Sequence, residues 1–404
     1  MQRLALLIAV TLLLAPSLAA QSDDFGAWQE LFNGKDLSGW TVAKPRDDND
    51  HKWVVAEGTL HMPGGGGIDL STEKEFTDYE LSIEYKLKEG GNSGVYLRGT
   101  TEIQVHKDRR TEPERGGGSA GAIYSKHPPL AITSKPAGEW NTYRILHIGP
   151  RITVWHNGEL IQDNVYFDGV TGGAMGSFPP TGRRLAGKKG PLMLQGDHGT
   201  VWYRNIRIRP LFTGDGWRPL VDGENLDNFT AMDDRRARDG LLWAVKDHAF
   251  GNTKHGGACH DLWTKESFGN FLVHYAYRSQ PTPEGENSGF YLRDQWEIQI
   301  LSRQSLTDKH SDGSLYSLKA PAVLARHGPE RWNHMDIKVE GMKIWVWQNG
   351  KLIHDGVVLE TRTDNHGVKT LEWSKKPFKL QGDHGLVQFT DLWIKPLPDA
   401  AGAD

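Results

Sequence analysis

The 404-residue chain has one cysteine, Cys259. No intramolecular disulfide can form, so an exported protein of this length has to be held together by its apolar cores. No cysteine-based catalytic motif surrounds Cys259, which reads as a small buried hydrophobe. Long apolar runs are also scarce. The only candidate lies in "MQRLALLIAVTLLLAPSLAA", where Arg3 precedes an apolar run from Leu4 to Leu14 and the small-residue stretch Ser17 to Ala20 follows. That run is too short to span a bilayer, and residues 1–20 are expected to be a cleaved secretory signal, with the mature chain exported to the periplasm or the exterior. No later stretch is long enough to suggest a membrane partner. Neither sign of charge prevails, since the formal net charge is −4, which gives no reason to expect a nucleic-acid partner. Helical periodicity does not extend beyond a turn or two, and no tight ligand spacing of the HExxH type occurs.

What the chain has instead is glycine and tryptophan, 47 and 15 residues, with glycine near 12% against a usual ~7%. It is also written twice. "LFNGKDLSGW" at 31–40 returns as "LVDGENLDNF" at 220–229, "GNSGVYLRGTTEIQV" at 91–105 as "ENSGFYLRDQWEIQI" at 286–300, and "LMLQGDHGTVWYRNIRIRPL" at 192–211 as "FKLQGDHGLVQFTDLWIKPL" at 378–397. A period of this size is a domain rather than a solenoid unit. Two tandem domains are expected, 21–212 and 213–404. Within each, short alternating runs are bounded by Gly, Asn, Asp and Pro, and "HNG" at 156–158 and "QNG" at 348–350 are Asn-Gly hairpin turns. The fold class is all-β, two tandem antiparallel β-sandwich domains of jelly-roll type.

One run carries chemistry. In "YLRGTTEIQVHKD" (96–108), a strand would put Glu102, Gln104 and His106 on one face and Ile103 and Val105 on the other. A carboxylate, an amide and an imidazole then stand side by side, without the second carboxylate that a two-carboxylate glycosidase uses. The second copy repeats Glu297 and Gln299 but has Leu301 in place of His106.

Both copies resemble the 3-keto-disaccharide hydrolase domain family, whose fold is similar to the concanavalin A-like lectin and glucanase sandwich. The likeness is carried by "NSGVYLRG", "EIQV", "GAIY", "KPAGEWNTYRI", "ITVWHNG", "LQGDHG" and "RNIRIRPL" in the first copy. In the second it is carried by "NSGFYLRD", "EIQI", "GSLYS", "ERWNHMDI", "IWVWQNG", "LQGDHG" and "TDLWIKPL". The resemblance implies a carbohydrate substrate already oxidised to a ketone at carbon 3.

Such a ketone acidifies the carbon-2 hydrogen, so one base, an oxyanion stabiliser and a proton donor suffice to expel the group on carbon 1; water then adds back. On this reading His106 or Glu102 takes the carbon-2 proton, Gln104 orients hydroxyls and Arg98 stabilises oxyanion charge. Asp197 and His198 of the "GDHG" loop pair as an oriented imidazole, and Tyr124 contacts substrate or donates a proton. Glu297, Gln299, Arg293, Asp383 and His384 are the matching substrate-binding candidates of the second copy. Arg98 and Arg293 have a second reading, as ion pairs to Glu102 and Glu297. The residues single out no cofactor for certain, and a divalent metal held by His106, Asp197, His198 and Glu102 is an alternative. The segments 106–121 and 171–190 are expected to be long loops beside the first site. The competing function is a non-catalytic carbohydrate-binding protein.

Overall fold

The computed structural model describes residues 23–42, 52–64, 66–106, 116–171, 189–231, 242–254, 259–282, 285–328, 330–363 and 374–399. The proposed signal segment and most of the two long loops lie outside them. Among the described residues there is no α-helix, only strands, turns and one short 3-10 turn at Asp23–Phe25.

The period-two alternation of the sequence builds the sheets. In Tyr79–Leu87 the odd-numbered residues Tyr79, Leu81, Ile83, Tyr85 and Leu87 are all buried in one core, while Ser82, Glu84 and Lys86 alternate with them and are only part-buried. Asn157 and Gly158 both take positive φ, 53° and 87°, as do Asn349 and Gly350, 52° and 80°. These are two-residue hairpins of the kind that Asn-Gly specifies.

In the first half the larger sheet runs, neighbour to neighbour, Glu159–Tyr166, Arg151–His156, Trp140–Ile148, Tyr79–Leu87, Val201–Pro210, Thr59–Met62, Val54–Ala56, with Gln29–Glu30 on Val201–Pro210. The smaller runs Trp40–Val42, Leu70–Phe76, Gly190–Leu194, Asn92–Leu97, Thr101–His106. The second half repeats the plan in the same order, its smaller sheet being Phe229–Thr230, Leu262–Thr264, Lys379–Leu380, Asn287–Leu292, Trp296–Leu301. All pairings are antiparallel, and each half has its own apolar core between its two sheets. Each large aliphatic or aromatic side chain moved from water into such a core stabilises the fold by roughly 1.5–3 kcal/mol. The chain is thus two tandem jelly-roll sandwiches. Cys259 is fully buried in the second core.

The halves meet through polar and aromatic contacts at their larger sheets and the turns beside them. Arg151 donates to the carbonyl of Asp247, the N–H of Trp332 donates to Asp163 at 3.1 Å, and Phe212 stacks on Trp393 at 4.7 Å.

Candidate active site

The strand Thr101–His106 lies at the edge of the smaller sheet. Ile103 and Val105 enter the core with no exposed surface, which turns Glu102, Gln104 and His106 to the outer face. The segment 121–127 pairs along the strand's free edge: Tyr124 N–H donates to Glu102 O, Gln104 N–H to Ala122 O, and Ile123 pairs with Ile103. With Ile123 inward, Tyr124 falls on the Glu102 face, where it is part-exposed.

Glu102 is 1% exposed. Its carboxyl folds over Gly94 on the neighbouring strand, where a Cβ would come within 2.3 Å of Glu102 Oε1. Tyr96, directly opposite, hydrogen-bonds to it. The Tyr96 hydroxyl in turn accepts from Gln195 Nε2 at 3.0 Å. Glu102 Oε2 and Gln195 Oε1 are buried acceptors with no partner among the described residues. Burial pushes the Glu102 carboxyl up to about 8; the Tyr96 bond opposes this, and the charges of Asp69 and Asp197 add to it. Burial and the same acidic neighbours raise the Tyr96 phenol.

The "GDHG" loop closes the site. Gly196 N–H donates to Asp69 Oδ1 at 2.8 Å, and a Cβ on Gly196 would meet Ile68 O at 2.5 Å, so only glycine allows this approach. Asp197 and His198 are both half-exposed, and Asp197 Oδ1 bonds His198 Nδ1, which leaves Nε2 as the outward nitrogen. Gln104 donates to Asn92 Oδ1 at 3.1 Å. His106 sits at the part-exposed end of the strand, opposite Asn92, four residues along from Glu102. Two neighbouring side chains on one face are therefore joined by a third group from the loop: Glu102 with Tyr96, within reach of the Asp197 charge.

The second half reproduces this cradle with changes. Glu297 pairs with Tyr291 and folds over Gly289, and Tyr316 N–H donates to Glu297 O. The Gln299 amide donates to Glu297 Oε1 and to Ser288 O, both at 2.9 Å, and Gly382 N–H donates to Asp261 at 2.9 Å. Asp383 and His384 bond at 2.5 Å, which lowers the Asp383 carboxyl and raises the His384 imidazole. The cross-strand rows differ, however. Register places Ser71, Met193, Tyr96 and Glu102 in line in the first half and Trp263, Lys379, Tyr291 and Glu297 in the second. Lys379 Nζ lies 3.6 Å from the Tyr291 ring centroid and 3.4 Å from Asp261 Oδ2.

A model of the 3-keto-alpha-glucoside-1,2-lyase-like domain matches residues 27–209 and again 216–395. The chain belongs to this family. It is 25% identical over 233 residues to a 3-keto-disaccharide hydrolase of Bacteroides thetaiotaomicron, which covers 46% of this chain and 80% of that protein. A crystal structure of a proposed glycosyl hydrolase from Parabacteroides distasonis is 30% identical, covering 46% of this chain and 84% of that one, with a TM-score of 0.37. A carbohydrate-binding module, CBM66 of Bacillus subtilis, aligns at 10% identity over 43% of this chain and 96% of its own, with a TM-score of 0.26.

For this member of the lyase-like family, two sequence-based assignments need correction. Arg98 is not an oxyanion ligand, nor is it paired to Glu102. It is 5% exposed, and its guanidinium donates to Thr77 O at 2.7 Å, Gly149 O at 2.8 Å and Asp78 at 3.0 Å. Arg293 is wholly buried, donates to Gly341 O at 2.8 Å and lies over Trp296, with burial lowering it to about 10. Both arginines have positive φ, 50° and 49°, so each leaves its strand and turns inward as a clamp between turns. As for the metal alternative, among the described residues no three His, Cys, Asp or Glu side chains gather into a group that would hold an ion.

Three residues of the cradle were not singled out from sequence: Tyr96, Asp69 and Gln195. Their signal was present in the repeat, since "IDL" at 68–70 returns as "HDL" at 260–262, and both aspartates receive the first N–H of a "GDHG" loop.

Proposed function

We propose that the first domain cleaves 3-keto-glycosides by elimination and hydration, with Glu102 as proton donor and the Asp197–His198 pair as base. The observation that carries this reading is a buried carboxyl that holds its proton at neutral pH, with one oxygen that has no partner among the described residues, within reach of the charge of Asp197, which orients a half-exposed imidazole. A general acid needs its proton near the working pH, and a base needs a fixed tautomer with the free nitrogen outward.

His198 Nε2 takes the carbon-2 proton, and the electron pair forms the carbon 1–carbon 2 double bond as the carbon 1–oxygen bond breaks. Glu102 gives its proton to the departing oxygen. Charge on the ketone oxygen builds up as the carbon-2 proton leaves, and Tyr124, on the Glu102 face, donates to it. Water then adds to carbon 1 and a proton returns to carbon 2, for net hydrolysis. Gln104 and Gln195 hold hydroxyls of the substrate. The relative in Bacteroides thetaiotaomicron supports the substrate class by its name, 3-keto-disaccharide hydrolase. Residues 1–20 support export, as a leader removed from the mature chain.

The test is product formation from a 3-keto-glycoside and from its unoxidised parent, with and without a chelator. Cleavage of the keto substrate alone, with turnover in E102Q and H198A reduced by about 10²–10⁴-fold each, is the expected outcome. Equal cleavage of the parent glycoside would remove carbon-2 abstraction from the mechanism.

A further inference from the structure

The second domain keeps the cradle and changes the groups that face it. His106 is replaced by Leu301, Ser71 by Trp263 and Met193 by Lys379, and the last two stand in one cross-strand row with Tyr291 and Glu297. In the first domain the matching positions are closed, Ser71 being 3% exposed and Met193 wholly buried, whereas Trp263 and Lys379 are part-exposed.

We infer that the second domain is a non-catalytic binding site for neutral, unoxidised pyranosides, with Trp263 as its stacking surface. The charges on this face pair with one another: Lys379 with Asp261 at 3.4 Å, and His384 with Asp383 at 2.5 Å. An anionic sugar would therefore find both of these cations already paired, and Arg293 is turned into the core. Paired charges hold donors and acceptors rigidly for hydroxyl groups, and the part-exposed Trp263 indole offers apolar surface beside Lys379, whose ammonium covers the buried Tyr291 ring, the combination of polar and aromatic groups a sugar site uses. The face keeps Glu297, Tyr316 and the Asp383–His384 pair, but sets them in a different ionic environment from the first site. An ammonium stands among carboxylates where the first site has a methionine, so the second cradle does not keep an acidic cluster free of cations. The choice of a sugar as ligand rests on the glycoside reading of the first domain; the location of the site does not.

The experiment is calorimetric titration of the full chain with maltose, cellobiose and methyl α-glucopyranoside, in wild type, W263A, W263F and E102Q. Wild type and E102Q are expected to bind one equivalent of at least one of these sugars with equal affinity. W263A is expected to weaken binding 10-fold or more while turnover of the 3-keto substrate is unchanged, and W263F, which keeps a ring, to stay within several-fold of wild type. Binding that survives W263A, binding lost in E102Q, or no binding of any of the three sugars would overturn the inference. A wild-type chain that binds through Trp263 but fails to cleave a 3-keto-glycoside would sink the enzymatic reading and leave this one standing.

Discussion

Glu102 owes its chemistry to a glycine. The carboxyl occupies the space over Gly94 that any other residue would fill, and that position brings it against Tyr96 and away from water. G94A should therefore fold, since the atom it meets is a side-chain oxygen, but displace the carboxyl and cut turnover at least tenfold. G289A makes the same collision with Glu297 Oε1, at 2.1 Å, and should leave turnover unchanged; steady-state kinetics of the two variants, with thermal melts as a folding control, check this. The protonation state gives a second outcome. With Glu102 as proton donor, kcat/KM should fall as pH rises, with a midpoint near 8, and E102Q should lack this limb; a rising limb at the same pH would make Glu102 the base. For stability the sign follows from linkage. The folded carboxyl binds its proton between the ordinary value of 4.5 and about 8, where the unfolded one has lost it. The contribution of Glu102 is therefore fully present below 4.5 and lost as pH rises through 8. Relative to wild type, E102Q should gain unfolding free energy in urea titrations as pH is raised from 5 to 9.

At the scale of the element, the two arginine clamps show how far a strand pattern can be read. Arg98 ties the turn after Asn92–Leu97 to the turns at Thr77–Asp78 and Gly149, and Asp78 also accepts Gly149 N–H at 2.7 Å. R98M leaves the part-buried Asp78 carboxylate without its guanidinium and should cost about 1–3 kcal/mol in chemical unfolding, while turnover per folded molecule stays near wild type; a collapse of kcat in a stable protein would restore its oxyanion role. The sequence reading of Glu102, Gln104 and His106 on one face, with Ile103 and Val105 inward, was legible because side-chain alternation is a local property of a strand. The tandem repeats and the Asn-Gly hairpins were legible for the same reason, as local chemistry. Arg98 was misread because alternation stops where φ turns positive, one residue past the strand end. Tyr96, Asp69 and Gln195 come from three places in the chain and meet through cross-strand register and a loop, which no single run of residues encodes. The contrast between Met193 and Lys379 was likewise hidden until register set each beside a tyrosine.

Across the whole molecule, buried histidines and buried carboxylates set the response to acid in opposite senses. His147 and His334 are held well below the ordinary histidine value of 6.5 by burial, His156 is lowered to about 3 and His354 to about 4. Each protonates in the unfolded chain near 6.5 and resists doing so when folded. Their stabilising contribution is therefore present above 6.5 and lost as pH falls toward the folded values. Asp163 and Asp391, where the halves meet, act in the opposite sense: burial raises both to about 6, so their contribution grows as pH falls through 6 toward the ordinary value of 3.8. The net acid slope is a difference between these sets, and the repeat supplies a way to separate them. His156, bonded to Tyr85 at 2.9 Å and Thr133 at 2.6 Å, is Gln348 in the second domain, where the amide donates to Tyr277 at 2.9 Å and Asp312 at 2.7 Å. His354, bonded to Gly313 O, is Gln162 in the first, where the amide donates to Gly121 O. Each domain thus already tolerates glutamine where the other has histidine. The double variant H156Q H354Q should fold and lose less stability than wild type between pH 7 and pH 4.5, by about 2 kcal/mol per histidine, as read from urea unfolding at the two pH values. An unchanged pH slope would mean that both imidazoles are already protonated in the folded chain, and that the acid response comes from the carboxylates between the halves.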